Sequence, residues 1–224
     1  MIPRPLDAVI FDMDGLLLDT ETLYRQAIVS SCASQGHEMP GHLHLSLIGT
    51  PQEAGDALLR GHFGLTFDLD AYHAACAQHF DRLCEASVPL RPGALELLGY
   101  LKANDIPMAV ATSTTRSRAE PRLARAGILD FFHGLVTRSD VRRGKPHPDS
   151  FLAAAAALQA RPGHCLALED SHNGVRAAAA AGMATVMIPD LLAPTPEIER
   201  LCVTVWPSLL EVLHRLELVG ATRG

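Results

Sequence analysis

The chain has 224 residues, 48% of them hydrophobic, with 19 Lys and Arg against 25 Asp and Glu for a net charge of −6. That length and apolar content support a substantial core and exclude a disordered protein, and an acidic balance without a basic stripe disfavours nucleic-acid binding. Five cysteines without a CxxC pair (Cys32, Cys76, Cys84, Cys165, Cys202) read as reduced, mostly buried thiols; with neither a signal segment nor an uncharged stretch long enough to span a bilayer, the expected location is cytoplasmic, with no membrane partner.

The first predicted strand, AVIF at 8–11, breaks off into Asp12 and Asp14, followed at once by Gly15. Two carboxylates so close repel one another and resist burial, so a strand ending on both needs a cation or hydrogen-bond donors beside it. The stretch 21–88 then shows amphipathic helical spacing around 23–32, 51–63 and 69–84, with turn residues at Gly36, Pro40 and Gly41 and no convincing strand. It reads as a helical insertion, and Pro89 and Arg91-Pro92-Gly93 mark the return to the main domain.

From there short apolar runs alternate with helical patterns. Helices are expected at 94–103, 118–126, 149–159 and 173–181, and strands at 107–111, 134–137, 165–168 and 184–188. Gly127 and Gly182 follow two of the helices, where left-handed caps would end them. The alanine runs at 153–157 and 177–181 suit close helix packing. At the C-terminus 209–218 reads as an amphipathic helix on the core, 221–224 as a frayed end, and 204–224 carries no functional signal.

This alternation is the sign of a parallel sheet covered by helices, an α/β fold in which ligands sit at the carboxyl ends of the strands. Each expected strand end there carries polar groups: Asp12 and Asp14, then Thr112 and Ser113, then Lys145 in RRGKPHPD, then Glu169 and Asp170 in ALEDSHNG. An oxygen-only carboxylate set suits Mg²⁺, with Asp12 and Asp170 as direct ligands. Thr112 and Ser113 precede a helix, where a hydroxyl and backbone N–H groups can hold a phosphate. Lys145 supplies a point charge for the nucleophile and the transferring phosphoryl group. Two residues apart, Asp12 and Asp14 can divide the work, one attacking phosphorus and the other handling the leaving-group proton.

These residues sit in FDMDGLLLDTE (11–21), LRPGALELL (90–98), VATST (110–114), GKPHPDSF (144–151) and LEDSHNGVRAA (168–178). In that order they make the chain resemble the haloacid dehalogenase superfamily, in its capped phosphatase and β-phosphoglucomutase-like branch (subfamily I). The resemblance implies a three-layer Rossmann-like core of about five parallel strands over 1–20 and 89–224, with 21–88 as a helical cap inserted after the first strand. It implies Asp12 as the nucleophile forming an aspartyl-phosphate and Asp14 as general acid/base that also offers Mg²⁺ its backbone carbonyl. Thr112 and the Ser113 amide would bind phosphate and Lys145 neutralise charge. Asp170 would ligate the metal, with Glu169 ligating or orienting beside it and Asn173 nearby.

The expected reaction is Mg²⁺-dependent hydrolysis of a small phosphomonoester, a sugar phosphate or a phosphoglycolate-like acid, by a monomer or weak homodimer. A phosphomutase is the competing reading. Mutases of this branch place a His four residues after the Thr that ends the first motif and an Arg in the cap loop, positions that align here with Tyr24 and Gln52, which favours water as the final acceptor. A phospho-accepting signalling module is the alternative from outside enzymes; chain length, the insertion and Asp14 speak against it. Segment 21–88 holds three arginines, no lysine and eight acids, so a heavily phosphorylated substrate is not expected. Its six histidines (His37, His42, His44, His62, His73, His79) read as ordinary surface or partly buried residues. Tyr24, Gln52 and Arg60, together with Asn173 outside the segment, read as substrate contacts.

Overall fold

The computed structural model describes residues 2–48 and 50–221 and divides into two compact units, Met1–Asp19 with Pro89–Gly224, and Thr20–Val88. The first is built on a six-stranded sheet. β1 (Ala8–Phe11), β2 (Met108–Ala111), β3 (Gly134–Val136), β4 (Cys165–Glu169), β5 (Ala184–Met187) and β6 (Thr204–Val205) are ordered β3-β2-β1-β4-β5-β6, every neighbouring pair parallel. β1, β2 and β4 are buried along their whole length, which is why they read as continuous apolar runs instead of alternating ones.

Around the sheet lie α5 (Ala94–Ala103), α6 (Arg116–Arg125), α7 (Asp149–Ala157), α8 (His172–Ala180), α9 (Pro196–Leu201) and α10 (Leu209–Ala221). The alanine runs are core contacts. Ala154 and Ala155 of α7 and Ala177 and Ala178 of α8 pack with Ala8, Ala109, Ala111 and Ala167 of the strands, where small side chains let helix and sheet backbones approach closely. Gly127 and Gly182 follow α6 and α8 with φ of +72° and +77°.

The sheet has six strands where the sequence suggested five. β6 is two residues long and joins the edge of β5 through Val186–Thr204 and Met187–Val205, too short for any period to register. α9 was equally unmarked. It starts on Pro196, with the Thr195 hydroxyl accepting from the Ile198 N–H at 3.3 Å. α6 begins two residues before the expected 118, and α7 stops short of the expected 159. The expected helix at 209–218 is present and runs to Ala221; residues 222–224 of the expected frayed end lie outside the described residues.

The second unit is helical: α1 (Thr20–Ala33), α2 (Gly41–Leu47), α3 (Gln52–Phe63) and α4 (Leu69–Ala86). Its core joins Ala27, Ile28, Cys32, Met39, Leu43, Leu59, Phe67, Tyr72 and Cys76. α2 falls where Pro40 and Gly41 read as a turn. Pro40 is its N-cap, and the Pro40 carbonyl accepts from the His44 N–H at 3.0 Å.

Candidate active site

Strand register decides which polar residues meet. Phe11 lies opposite both Val110 of β2 and Leu168 of β4, so Asp12, Thr112 and Glu169 leave the sheet at the same end, beside the central strand where the chain order reverses. The Asp12 N–H donates to the Leu168 carbonyl at 3.0 Å, and the Thr112 N–H to the Val136 carbonyl at 2.9 Å. These bonds extend the ladder one residue past each strand and hold both side chains in place.

Lys145, between β3 and α7, reaches back over the strand ends. Its Nζ donates to Asp12 Oδ1 and to Glu169 Oε1 and lies 5.0 Å from the centre of the Phe151 ring. Glu169 is fully buried, and its other oxygen, Oε2, accepts from the N–H of Asp170, the N–H of Ser171 and the Ser171 hydroxyl, each at 3.0 Å. The same Ser171 hydroxyl caps α8 by accepting from the Gly174 N–H at 3.1 Å. Gly174 is required for space: a Cβ there would lie 1.7 Å from Glu169 Oε1. Gly15 gives way in the same manner to Asp170, whose Oδ2 would be 2.4 Å from a Cβ, and has φ of +84° as well.

One oxygen each from Asp12, Glu169 and Asp170 falls within 4.8 Å of the others; among the described residues they form the one group of three or more side chains able to hold a metal ion. Three carboxylates, Asp12 and Glu169 buried and Asp170 half-buried, against one ammonium leave an excess of negative charge. Burial, with the charge of Glu169 and Asp14, pushes the Asp12 carboxyl up to about 7 against the pull of Lys145, and burial with the charges of Asp12 and Glu169 pushes Asp170 up to about 9. Burial works against the Lys145 ammonium, but Asp12 and Glu169 outweigh it and lift its pKa above the usual lysine value. An all-oxygen donor set with surplus negative charge fits a hard divalent cation. With Oε2 taken by three donors, Glu169 offers a cation only Oε1, which it already shares with Lys145.

Asp14 goes its own way. Its Oδ2 accepts from the Thr114 hydroxyl at 2.7 Å, and its Oδ1 faces Arg122 at 3.5 Å. The two carboxylates of the first motif therefore diverge, Asp12 toward Lys145 and β4, Asp14 toward the segment after β2. Thr112 is buried, its hydroxyl accepting from the Thr114 N–H at 3.0 Å, while Ser113 is exposed. Asn173 is not drawn into the cluster; it is exposed, and its Oδ1 accepts from Arg176 at 3.2 Å. In the helical unit Tyr24 packs edge-on against Phe80 at 5.5 Å, and Gln52 and Arg60 are exposed on α3. Thr114, Arg122, Ser171 and Gly174 had no assigned part in the sequence reading. Thr114, Ser171 and Gly174 lie inside the motifs at 110–114 and 168–178, but a hydroxyl's partner and the space beside a glycine are tertiary facts.

The profile of the haloacid dehalogenase-like hydrolase family matches residues 6–182. The chain belongs to that family. Among haloacid dehalogenase-like proteins it is 33% identical over 178 residues to "Phosphorylated carbohydrates phosphatase" of Thermotoga maritima, covering 80% of this chain and 82% of the relative. It is 37% identical over 193 residues to "Probable pseudouridine-5'-phosphatase" of Drosophila melanogaster, covering 84% and 83%. The crystal structure of a haloacid dehalogenase family hydrolase from Deinococcus radiodurans R1, with bound phosphate and sodium, superposes with a TM-score of 0.83 at 28% identity over 97% of this chain and 98% of that one. The fold is the α/β Rossmann-like fold of haloacid dehalogenase subfamily I, and the chain is a member of a phosphatase and phosphomutase family of hydrolases.

Proposed function

We propose that this protein is a Mg²⁺-dependent phosphatase that hydrolyses a small phosphomonoester, a sugar phosphate or phosphoglycolate-like acid, through an aspartyl-phosphate on Asp12. The observation that carries this reading is the pair of separated carboxylates at the end of β1, Asp12 held by Lys145 and Asp14 held apart by Thr114. One group is set to attack, and the other is kept off the metal-type cluster to move a proton.

In the first half-reaction an Asp12 oxygen attacks phosphorus, the bond from phosphorus to the leaving oxygen breaks, and the leaving alcohol takes a proton from the Asp14 carboxyl. In the second, the Asp14 carboxylate takes a proton from water, whose oxygen attacks the same phosphorus. The Asp12–phosphorus bond breaks, inorganic phosphate leaves, and both residues return to their starting states. Lys145 offsets charge on Asp12 and the phosphoryl group throughout. Thr112 and the Ser113 N–H hold the non-bridging oxygens. Asp12, Asp170, Glu169 Oε1 and the Asp14 carbonyl would hold Mg²⁺, which supplies Lewis-acid neutralisation of the phosphoryl charge.

The helical unit Thr20–Val88 is proposed as the cap that selects the substrate, with Tyr24, Gln52 and Arg60 as its contacts. Hydrolysis is favoured over mutase chemistry by Tyr24, whose hydroxyl is pushed by burial, and then by Cys76, up to about 12. It stays protonated and does not titrate near neutral pH, where a mutase would place an imidazole that does. Asn173, occupied by Arg176, is assigned no direct contact.

Phosphate release from 4-nitrophenyl phosphate and a metabolite panel tests the proposal. Asp12→Asn or EDTA is expected to abolish release, and activity surviving both overturns the reading. Isomerised hexose phosphate in place of free phosphate, followed by NMR, would transfer the assignment to a phosphomutase.

A further inference from the structure

α6 carries four arginines, Arg116, Arg118, Arg122 and Arg125, and one of them is out of place. Arg116 is 44% exposed at its side chain, while the Arg122 side chain is 6% exposed, on the helix face that also buries Ala119 and Leu123. A buried guanidinium loses several kcal/mol of hydration unless charge and hydrogen bonds replace it, so it is seldom retained on an inward face without a partner. Here a partner is in reach. Arg122 Nη1 lies 3.5 Å from Asp14 Oδ1, an oxygen that is itself buried and lacks a hydrogen bond. The opposite oxygen of that carboxyl, Oδ2, is fixed at 2.7 Å by the Thr114 hydroxyl. Both oxygens are thus located, one by a hydrogen bond and one by a facing charge at 3.5 Å, and together the two contacts orient the Asp14 carboxyl.

We infer that Arg122, together with Thr114, is a positioning residue for Asp14, holding the carboxyl that exchanges the leaving-group proton without itself touching substrate. The inference rests on the phosphatase reading and deepens it. Proton transfer depends on alignment within hydrogen-bond reach. A good leaving group needs no proton; an alcohol does. Loss of Arg122 should therefore harm substrates in proportion to the basicity of the group they expel, a pattern that general loosening of the fold would not produce.

The test is kcat/KM, which reports only steps through leaving-group departure, for a series of aryl phosphates and one alkyl phosphate, in wild type, Arg122→Met and Arg122→Lys. For Arg122→Met we expect a fall of about threefold on 4-nitrophenyl phosphate and about 30-fold on the alkyl phosphate, a part of the roughly 10²–10⁴ that a positioned acid supplies in full. Arg122→Lys should recover most of the loss. Because Arg122→Met leaves the buried Oδ1 of Asp14 facing an apolar group, Asp14→Asn and the double variant Asp14→Asn/Arg122→Met, which removes both charges, complete a cycle. In the Asp14→Asn background the second substitution should cost nothing further. Mg²⁺ affinity measured by calorimetry should be unchanged in Arg122→Met. An equal fall on all substrates, additive losses in the cycle, or a large change in Mg²⁺ affinity overturns the inference while the phosphatase reading stands. Undiminished turnover by Asp12→Asn overturns both.

Discussion

Gly174→Ala is the sharpest single perturbation of the charge cluster, because it adds one carbon and removes no polar group. The new Cβ would lie 1.7 Å from Glu169 Oε1, 1.8 Å from Cδ and 2.2 Å from Oε2, so the carboxylate must retreat by roughly 1.5 Å to reach ordinary contact distance. That retreat strains the contact with Lys145 and the three bonds from Asp170 and Ser171 to Oε2. Overpacking a closed site costs about 1–3 kcal/mol, and losing one charge-assisted hydrogen bond adds about 1.5–3 kcal/mol. The expected destabilisation is about 3–5 kcal/mol, or about 10 °C in Tm for a chain of this size. Gly99 in α5 is the control, since a Cβ there meets nothing within 4 Å; Gly99→Ala should be neutral or stabilise by up to about 1 kcal/mol. Thermal unfolding of both variants with phosphate release measured in parallel decides the matter. A Gly174→Ala protein with wild-type Tm and wild-type turnover would show that Glu169 is not held where its bonds place it.

Two further outcomes concern pH. Asp12 and Asp170 titrate in the metal-free fold at about 7 and about 9, above the 3.8 of a free Asp. A raised carboxyl pKa favours the folded state at low pH, and that contribution is lost as pH climbs through the folded values. The metal-free protein should lose stability from about pH 4 toward pH 9, and the Tm gain on replacing EDTA with Mg²⁺ should widen over the same window; a gain independent of pH would refute the carboxylate excess. Asp7 behaves oppositely. Its hydrogen bonds from Arg161, at 2.9 and 3.2 Å, hold its carboxyl at about 2. Its stabilising contribution is present above the usual Asp value and lost as pH falls toward 2, so Asp7→Asn should lower Tm slightly at pH 7, with the difference from wild type vanishing near pH 2.

By itself the sequence determined the strand–helix alternation, the inserted helical segment and the residues at the strand ends, because buried parallel strands must be apolar along their length and must stop where charges begin. Asp12, Glu169 and Asp170 were legible for that reason: a charge at the end of an apolar run is conspicuous in one dimension. Lys145, nine residues past β3, was legible only through the polar segment GKPHPD that carries it. Other features had no such signature. β6 exists because two residues meet the edge of β5, and α2 because Pro40 serves as a cap and not as a turn. Gly174 reads as an ordinary helix glycine until the Glu169 carboxylate is found in the space its missing side chain leaves. The parting of Asp12 and Asp14 was hidden too, since both start on one extended chain and only their partners, 133 and 100 residues away in sequence, pull them apart. Arg122 looks like one more surface arginine on a polar helix, and only the fold turns it inward to face a carboxylate. Local chemistry fixes which residues can act, whereas the pairing of charges over long sequence separations, which sets orientation and protonation, comes into being only when the sheet closes its register.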